Sequence, residues 1–202
     1  REKARRLYLN PHLKRLSDTQ PRKAGQIAYD SESEDGMVAF EYMFDQDTEI
    51  TGFLTARLWV EARSATDMDV FARVLKLSDT GDILFQDSIS YQYSGPDGRL
   101  RVSHRELDTG RTRPGQVYHT HRKACPIAPG QIVPIDIQFW PTGLIFHKGQ
   151  GLRLVVAGFD YMPSKPADRP PPAIFNKGIH VIHAGGKYDS WLHVPFIPQG
   201  RT

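Results

Sequence analysis

The chain has 202 residues, enough for one large domain or two small ones, and 39% of them are hydrophobic against 24% charged. That balance excludes a disordered chain, because such chains are poor in apolar residues. The 26 basic and 23 acidic residues leave a net charge of +3. The basic residues are scattered apart from a terminal cluster within residues 1–6, interpreted as a solvated tail, so the basic stripe of a nucleic-acid-binding protein is excluded. No run approaches the roughly 20 consecutive apolar residues of a membrane span.

Two features concern the setting of the chain. Cys125 is the only cysteine, which excludes an internal disulfide and favours the cytoplasm over a disulfide-built secreted protein. The first residue is Arg1 rather than methionine, which predicts that the chain is part of a longer polypeptide. A domain cut from its neighbour exposes an apolar interface, so either self-association into homo-oligomers or poor solubility is expected as well.

The first half of the chain predicts strands after two short helices, which the sequence favours at 1–7 and 11–16. Residues 50–62 alternate between apolar and polar side chains as one long strand. The run Asp69–Leu77 alternates in the same way, and the turn residues at 79–82 lead into a further apolar run, which predicts a hairpin.

The second half continues this pattern. Residues 131–140 alternate, and Pro134 favours an edge or the start of a strand. Residues 144–146 and 152–157 flank a turn and predict a second hairpin. The last strands are expected at 179–183 and 190–197, and loops at 30–36 and 163–172, the latter with five prolines in ten residues.

Short strands that recur between turn signals are typical of a sandwich or jelly roll. We therefore predict an all-β jelly-roll β-sandwich with about eight main strands. Only about 30 residues follow the proline-rich loop, and two strands cannot enclose a core of their own. Residues 1–202 are accordingly predicted to form a single domain.

The chain lacks the sequence of a catalytic serine. An α/β-hydrolase serine needs a tight turn with glycines two residues to either side, and none of the serines here has that setting. No catalytic residue and no cofactor is therefore predicted for this chain.

The histidines offer a metal hypothesis that the neighbouring residues oppose. His119 and His121 would share one face of a strand, as in β-barrel metal oxygenases. Arg122 and Lys123 follow directly and would repel a cation, so no metal is predicted. His180 and His183 are three residues apart, which places them on opposite faces of a strand, and they are interpreted as structural.

Exposed aromatic residues support an alternative function, a free-standing carbohydrate-binding β-sandwich module. Trp59, Trp140, Tyr161 and Trp191 could stack against sugar rings. Residues 104–106 leave two interpretations open, the solvated end of a strand or a polar patch that contacts a partner domain.

Several segments, in order, resemble one family. They are DTEITG at 47–52 with ARLWV at 56–60, ATDMDVF at 65–71, LRVSHREL at 100–107, FWPTG at 139–143, GQGLRL at 149–154, NKG at 176–178, HVIH at 180–183 and VPFIP at 194–198. This set resembles the C-terminal jelly-roll domain, galactose-binding-like in fold, of the X-prolyl dipeptidyl-peptidases and cocaine-esterase-like α-amino-acid ester hydrolases. The resemblance covers roughly residues 45–198, and residues 1–44 look like the segment by which the chain leaves a preceding domain.

The resemblance implies that this chain is the non-catalytic C-terminal domain of a serine hydrolase, either an acyl esterase or an X-Pro dipeptidyl-peptidase. Its partners would be an upstream α/β-hydrolase domain and a helical cap of the same polypeptide, and this domain would help to wall their active site. His104, Arg105 and Tyr161 are candidates for the substrate wall or the domain interface. The proline-rich loop at 163–172 is longer than expected for the family, which leaves the substrate open.

Overall fold

The computed structural model describes residues 3–87, 92–163 and 172–198, and almost all regular structure in them is β-strand. The strands are β1 Lys3–Asn10, β2 Arg15–Ser17, β3 Gly25–Asp30, β4 Met37–Met43, β5 Thr48–Gly52, β6 Thr55–Ala62, β7 Asp69–Leu77, β8 Ile83–Leu84, β9 Gln86–Asp87, β10 Gln92–Tyr93, β11 Asp97–Arg101, β12 Val133–Gln138, β13 Thr142–Phe146, β14 Gly151–Ala157, β15 Ile179–Ala184 and β16 Trp191–Ile197. The only helix in these ranges is the short 3₁₀ turn Val102–His104.

The two helices predicted near the N-terminus are wrong. Leu7 and Leu9 are buried two residues apart, the spacing at which side chains share one face of a strand, and β1 pairs with β16 throughout this stretch. Asn10 then ends the strand, because its side-chain oxygen accepts hydrogen bonds from the backbone N–H groups of His12 and Leu13, both at 3.1 Å. This side-chain capping forms a turn where the sequence suggested a helix start.

The strands form two packed layers. One layer has the antiparallel order β11-β7-β14-β4. The other is built around β6, which pairs with β12 on one edge and with β15 and then β16 on the other; β3, β1 and the β5–β13 pair extend it. Apolar side chains from both layers form one core, and nine of the described strands have six or more residues. The predicted all-β sandwich is confirmed.

One of the two predicted hairpins is present. The pair β7 and β8 is antiparallel, with Lys76 opposite Leu84, as expected from the turn between them. The second hairpin is wrong: β13 pairs with β5, whereas β14 lies between β4 and β7 in the other layer. Because β14 has a neighbour on both sides, it has no free edge for β13, and the turn between them joins the two layers.

The long strand predicted at 50–62 is divided in two. Gly52 adopts a positive φ of 136°, and the chain changes direction through Phe53 and Leu54 before β6 begins. The loop at 30–36 and the edge position of Pro134 agree with the prediction, since β12 pairs with β6 alone among the described strands. Of the proline-rich loop at 163–172, residues 164–171 lie outside the described ranges.

The strands β15 and β16 act as one interrupted strand along the same edge of β6. His183 lies opposite Trp59, and Trp191 lies opposite Arg57, so pairing resumes after the intervening loop. Ser190 bridges the interruption: its hydroxyl accepts from the Trp59 N–H at 2.9 Å and donates to the His183 carbonyl at 2.6 Å. A side chain thus replaces two ladder hydrogen bonds, and the loop 185–190 is held on the outer face of this layer.

Candidate functional site

Three histidines meet beside the end of β11. His104 closes the 3₁₀ turn after β11, and its ring centroid lies 5.5 Å from that of His121, which in turn lies 5.8 Å from that of His119. The expectation that His119 and His121 share one face of a strand is wrong, because both lie in a loop and His121 has a positive φ of 49°. Sequence spacing missed His104 as their neighbour, since only the fold of the loop brings it there.

The surroundings of His119 favour its neutral ring. Burial, and next the nearby His121, lower the pKa of His119, while Asp136 opposes the shift. Within the described ranges, no group of three or more histidine, cysteine, aspartate or glutamate side chains is placed to hold a metal ion. The three rings pack on one another and join the 3₁₀ turn to the loop that carries His119 and His121.

Arg105 holds the same loop. Its guanidinium donates to the carbonyl oxygens of Val102 and Cys125, the first at 3.0 Å. Next to it, the Thr120 hydroxyl donates to the Glu106 carboxylate at 2.6 Å. These contacts give the polar residues 104–106 a local structural role.

Tyr161 lies elsewhere. Its carbonyl accepts a hydrogen bond from Arg73 Nε at 2.7 Å, and its ring packs against Phe159 with centroids 6.4 Å apart. It borders a shallow depression of about 760 Å³ beside β4, whereas His104 borders one of about 380 Å³ beside β11. The structure thus brings His104 and Arg105 together and leaves Tyr161 apart from both.

The tryptophans do not form a common sugar-stacking platform. Trp191 is 7% exposed, beneath Arg6, whose guanidinium lies 4.6 Å from its ring centroid. Trp59 is half-buried and donates from Nε1 to Asp189 at 2.8 Å. Trp140 is 72% exposed, but it stands on a different part of the surface. The carbohydrate-binding alternative therefore loses the platform on which it depended.

The outer face of the β6 layer is polar, and its charged groups Arg57 and His183 have partners on adjacent strands. Arg57 donates to both oxygens of Asp136, at 2.9 and 2.8 Å, and His183 Nε2 lies 2.7 Å from the Glu61 carboxylate. His180 lies on the opposite face, as predicted, where its Nδ1 is 3.3 Å from the Tyr29 hydroxyl. Burial lowers the pKa of His180 to about 4, so a neutral ring occupies the core.

A cleft of about 680 Å³ opens where the ends of β5, β11 and β12 meet, and we call it the aromatic cleft. Phe53, Tyr118 and Trp140 stand on it with exposures of 38%, 40% and 72%. Arg99 and Asp97 of β11 line the same cleft. The sequence analysis named Trp140 but not Phe53 or Tyr118, because the three are distant in the chain.

Comparison with known proteins decides the family. The sequence-family model described as the X-Pro dipeptidyl-peptidase C-terminal non-catalytic domain matches residues 1–193 of this chain. The chain belongs to this family. The suspected relationship is confirmed, and it agrees with the absence of a hydrolase serine turn from the sequence of this C-terminal domain.

Solved structures agree with the assignment. A CocE/NonD family hydrolase from Staphylococcus aureus is 34% identical, with a TM-score of 0.92 over 97% of this C-terminal domain and 37% of the hydrolase chain. An α-amino acid ester hydrolase shares the fold, at 13% identity and a TM-score of 0.64 over 96% of this chain and 36% of the other. A Mycobacterium bovis protein named as a "putative serine esterase" is 25% identical over 68% of this chain.

This C-terminal domain spans little more than a third of the solved hydrolases and 21% of the mycobacterial protein. Most of each relative therefore lies outside the matched region. Among the described residues, no helix has the length and apolar character needed to cross a membrane.

Proposed function

We propose that this chain is the C-terminal domain of a serine hydrolase, of the acyl esterase or X-Pro dipeptidyl-peptidase type, and that it packs against an α/β-hydrolase domain and helps to wall its active site. The observation that carries the proposal is the S. aureus hydrolase, whose chain contains this fold at 34% identity as 37% of its length. A domain that fills only part of an enzyme and lacks a nucleophile turn supports the reaction by shape rather than by chemistry.

The proposal assigns His104 and Arg105 to the side of this domain that meets its neighbour. Arg105 fixes the loop 105–125 through two carbonyl oxygens, and His104 packs on that loop, so both would shape a wall without touching substrate. Tyr161 would belong to a separate contact, because it borders another depression. The cytoplasm remains the compartment that we propose, from the single cysteine.

The test compares this chain with the natural polypeptide that contains it. Mass spectrometry of the natural product should give a mass roughly two to three times that of this chain, as a share of 37% implies. The full polypeptide should hydrolyse p-nitrophenyl acetate and lose this activity to a serine-reactive phosphonate, whereas the isolated chain should show no turnover. Phosphonate-sensitive turnover by the isolated chain would contradict the proposal.

A further inference from the structure

Three large aromatic side chains from different parts of the sequence are exposed at the aromatic cleft. Phe53, Tyr118 and Trp140 share that one cleft, while other exposed ones, such as Leu13 and Met43, stand at separate places on the surface. Domains that function alone rarely expose several large aromatic rings side by side, and such patches usually mark an interface. We propose that the aromatic cleft is where this domain docks onto the catalytic domain of the same polypeptide, an inference that rests on the proposed function.

The cleft is built on fixed backbone. The Gln138 side chain, at the end of β12, holds two other segments in place. Its Nε2 donates to the carbonyls of Leu54, in the link between β5 and β6, and of Phe139, at 2.9 and 3.0 Å, and its Oε1 accepts from the N–H of the loop residue Val117 at 2.7 Å. The Trp140 N–H donates to the carbonyl of Asp97 at 3.2 Å. The exposed rings are therefore presented by ordered residues, which lowers the entropy lost on docking.

The charges in the cleft indicate what its occupant carries. Asp97 faces Arg73, with 3.6 Å between carboxylate and guanidinium. Arg99 is exposed on the cleft, and it makes no hydrogen bond or ion pair with any residue that the structure describes. Arg111 stacks on the rim, 4.4 Å from the Tyr118 ring centroid. An apolar surface bearing a carboxylate complements this arrangement, with the carboxylate opposite Arg99.

The same charges disfavour a second copy of the chain. A twofold contact places the same patch of two copies face to face, so Arg99 and Arg111 of both copies would share one interface. The carboxylate in this cleft, Asp97, already faces Arg73, so the arginines would mostly meet like charge. The catalytic domain has no such restriction and is linked to this domain by the polypeptide itself, which raises its effective concentration. On the polar outer face of the β6 layer, Arg57, Trp59 and His183 already have partners within the chain, so these groups do not require a second surface.

Hydroxyl-radical footprinting with mass spectrometry tests the assignment. The isolated chain and the full natural polypeptide are oxidised in parallel, and modification of Trp140, Tyr118 and Phe53 is measured against the exposed controls Met43 and Leu13. Docking should lower the rate at Trp140 by about fivefold or more in the full polypeptide, since the centre of an interface excludes water. The rates at Met43 and Leu13 should stay within about twofold.

Variants of the full polypeptide check the charge and keep the test valid if the isolated chain does not fold. Arg99→Glu should return the oxidation of Tyr118 and Phe53 toward that of an exposed ring, whereas Arg22→Glu, a reversal at an exposed arginine outside the cleft, should not.

Each of the remaining outcomes contradicts a specific part of the proposal. Protection of Met43 or Leu13 with Trp140 unprotected would overturn the aromatic cleft as the docking site and leave the proposed function standing. Equal oxidation of all these residues in both proteins would overturn docking altogether. Protection of the cleft by added oligosaccharide in the isolated chain, without protection in the full polypeptide, would assign it to sugar instead.

Discussion

The outer faces of the two layers each carry a central arginine, and the two side chains are buried to different degrees. Arg73 on β7 is 6% exposed, whereas Arg57 on β6 is 34% exposed. Segments from elsewhere in the chain cover Arg73: it donates to the carbonyls of Tyr161 and Gly95 and lies 3.4 Å from Asp160. Arg57 has its partner on the adjacent strand. Outward position in a strand therefore does not determine exposure.

The largest effect on stability is expected from a substitution at the buried arginine, Arg73. Arg73→Met removes the cation from between Asp160 and Asp97 and leaves the more buried carboxylate, Asp160, without this charge. Loss of one partner of a buried ion pair costs about 3–5 kcal/mol of unfolding free energy. Urea denaturation measures it, and Arg73→Lys serves as a control that keeps the charge and should lose less. A midpoint that stays at the wild-type value would contradict the burial of this arginine.

Acidification should lower the stability of the fold through His180, which lies on the inner face of β15. The pKa of His180 is about 4 in the folded chain and 6.5 without burial, so the unfolded state binds more protons between these values. Stability is therefore highest above pH 6.5 and falls as the pH drops toward 4, by about 3 kcal/mol in all. The His180→Leu/Tyr29→Phe double variant should lose this part of the pH dependence, whereas Tyr29→Phe alone should keep it. Parallel pH profiles for all three proteins would refute the assignment to His180.

The smallest effect on stability is expected from a substitution at the more exposed arginine, Arg57. Arg57→Ala leaves Asp136, which is only 8% exposed, without its bidentate partner, but the arginine is a third exposed, so its removal opens this carboxylate to water. The expected loss is about 1–2 kcal/mol, between the values for surface and buried pairs. A double-mutant cycle with Asp136→Ala isolates the pair energy. A coupling as large as the loss at Arg73 would show that the two faces do not differ as described.

The difference between the two arginines shows which parts of the fold could be predicted from the sequence. Alternation located β7 to the residue, because the inward positions Val70, Ala72 and Val74 are all apolar. It could not foresee that the outward residues are buried too, since the covering segments come from distant parts of the chain. For the same reason it paired β13 with β14, although nearness in sequence does not determine which layer a strand joins.

The candidate site shows the same limit. His119 and His121 stand out by spacing, but His104 joins them only through the loop that Arg105 holds in place. Trp140 is recognisable as an exposed aromatic residue, yet its neighbours Phe53 and Tyr118 come from other turns. The family was recognised from several short segments that occur in the expected order, whereas no single motif in the sequence indicated a chemical activity.

The pairing of β1 with β16 has a consequence for the order in which the molecule is made. Lys3 lies opposite Phe196 and Tyr8 opposite Trp191, so β1 cannot pair along this edge until β16 has been synthesised. The same last strand also completes the edges of β5 and β6. During synthesis from the N-terminus, this layer cannot close until β16 has left the ribosome. Such distant pairing slows folding, so a growing chain would hold Leu7 and Leu9 without this partner strand while the residues between β1 and β16 are synthesised.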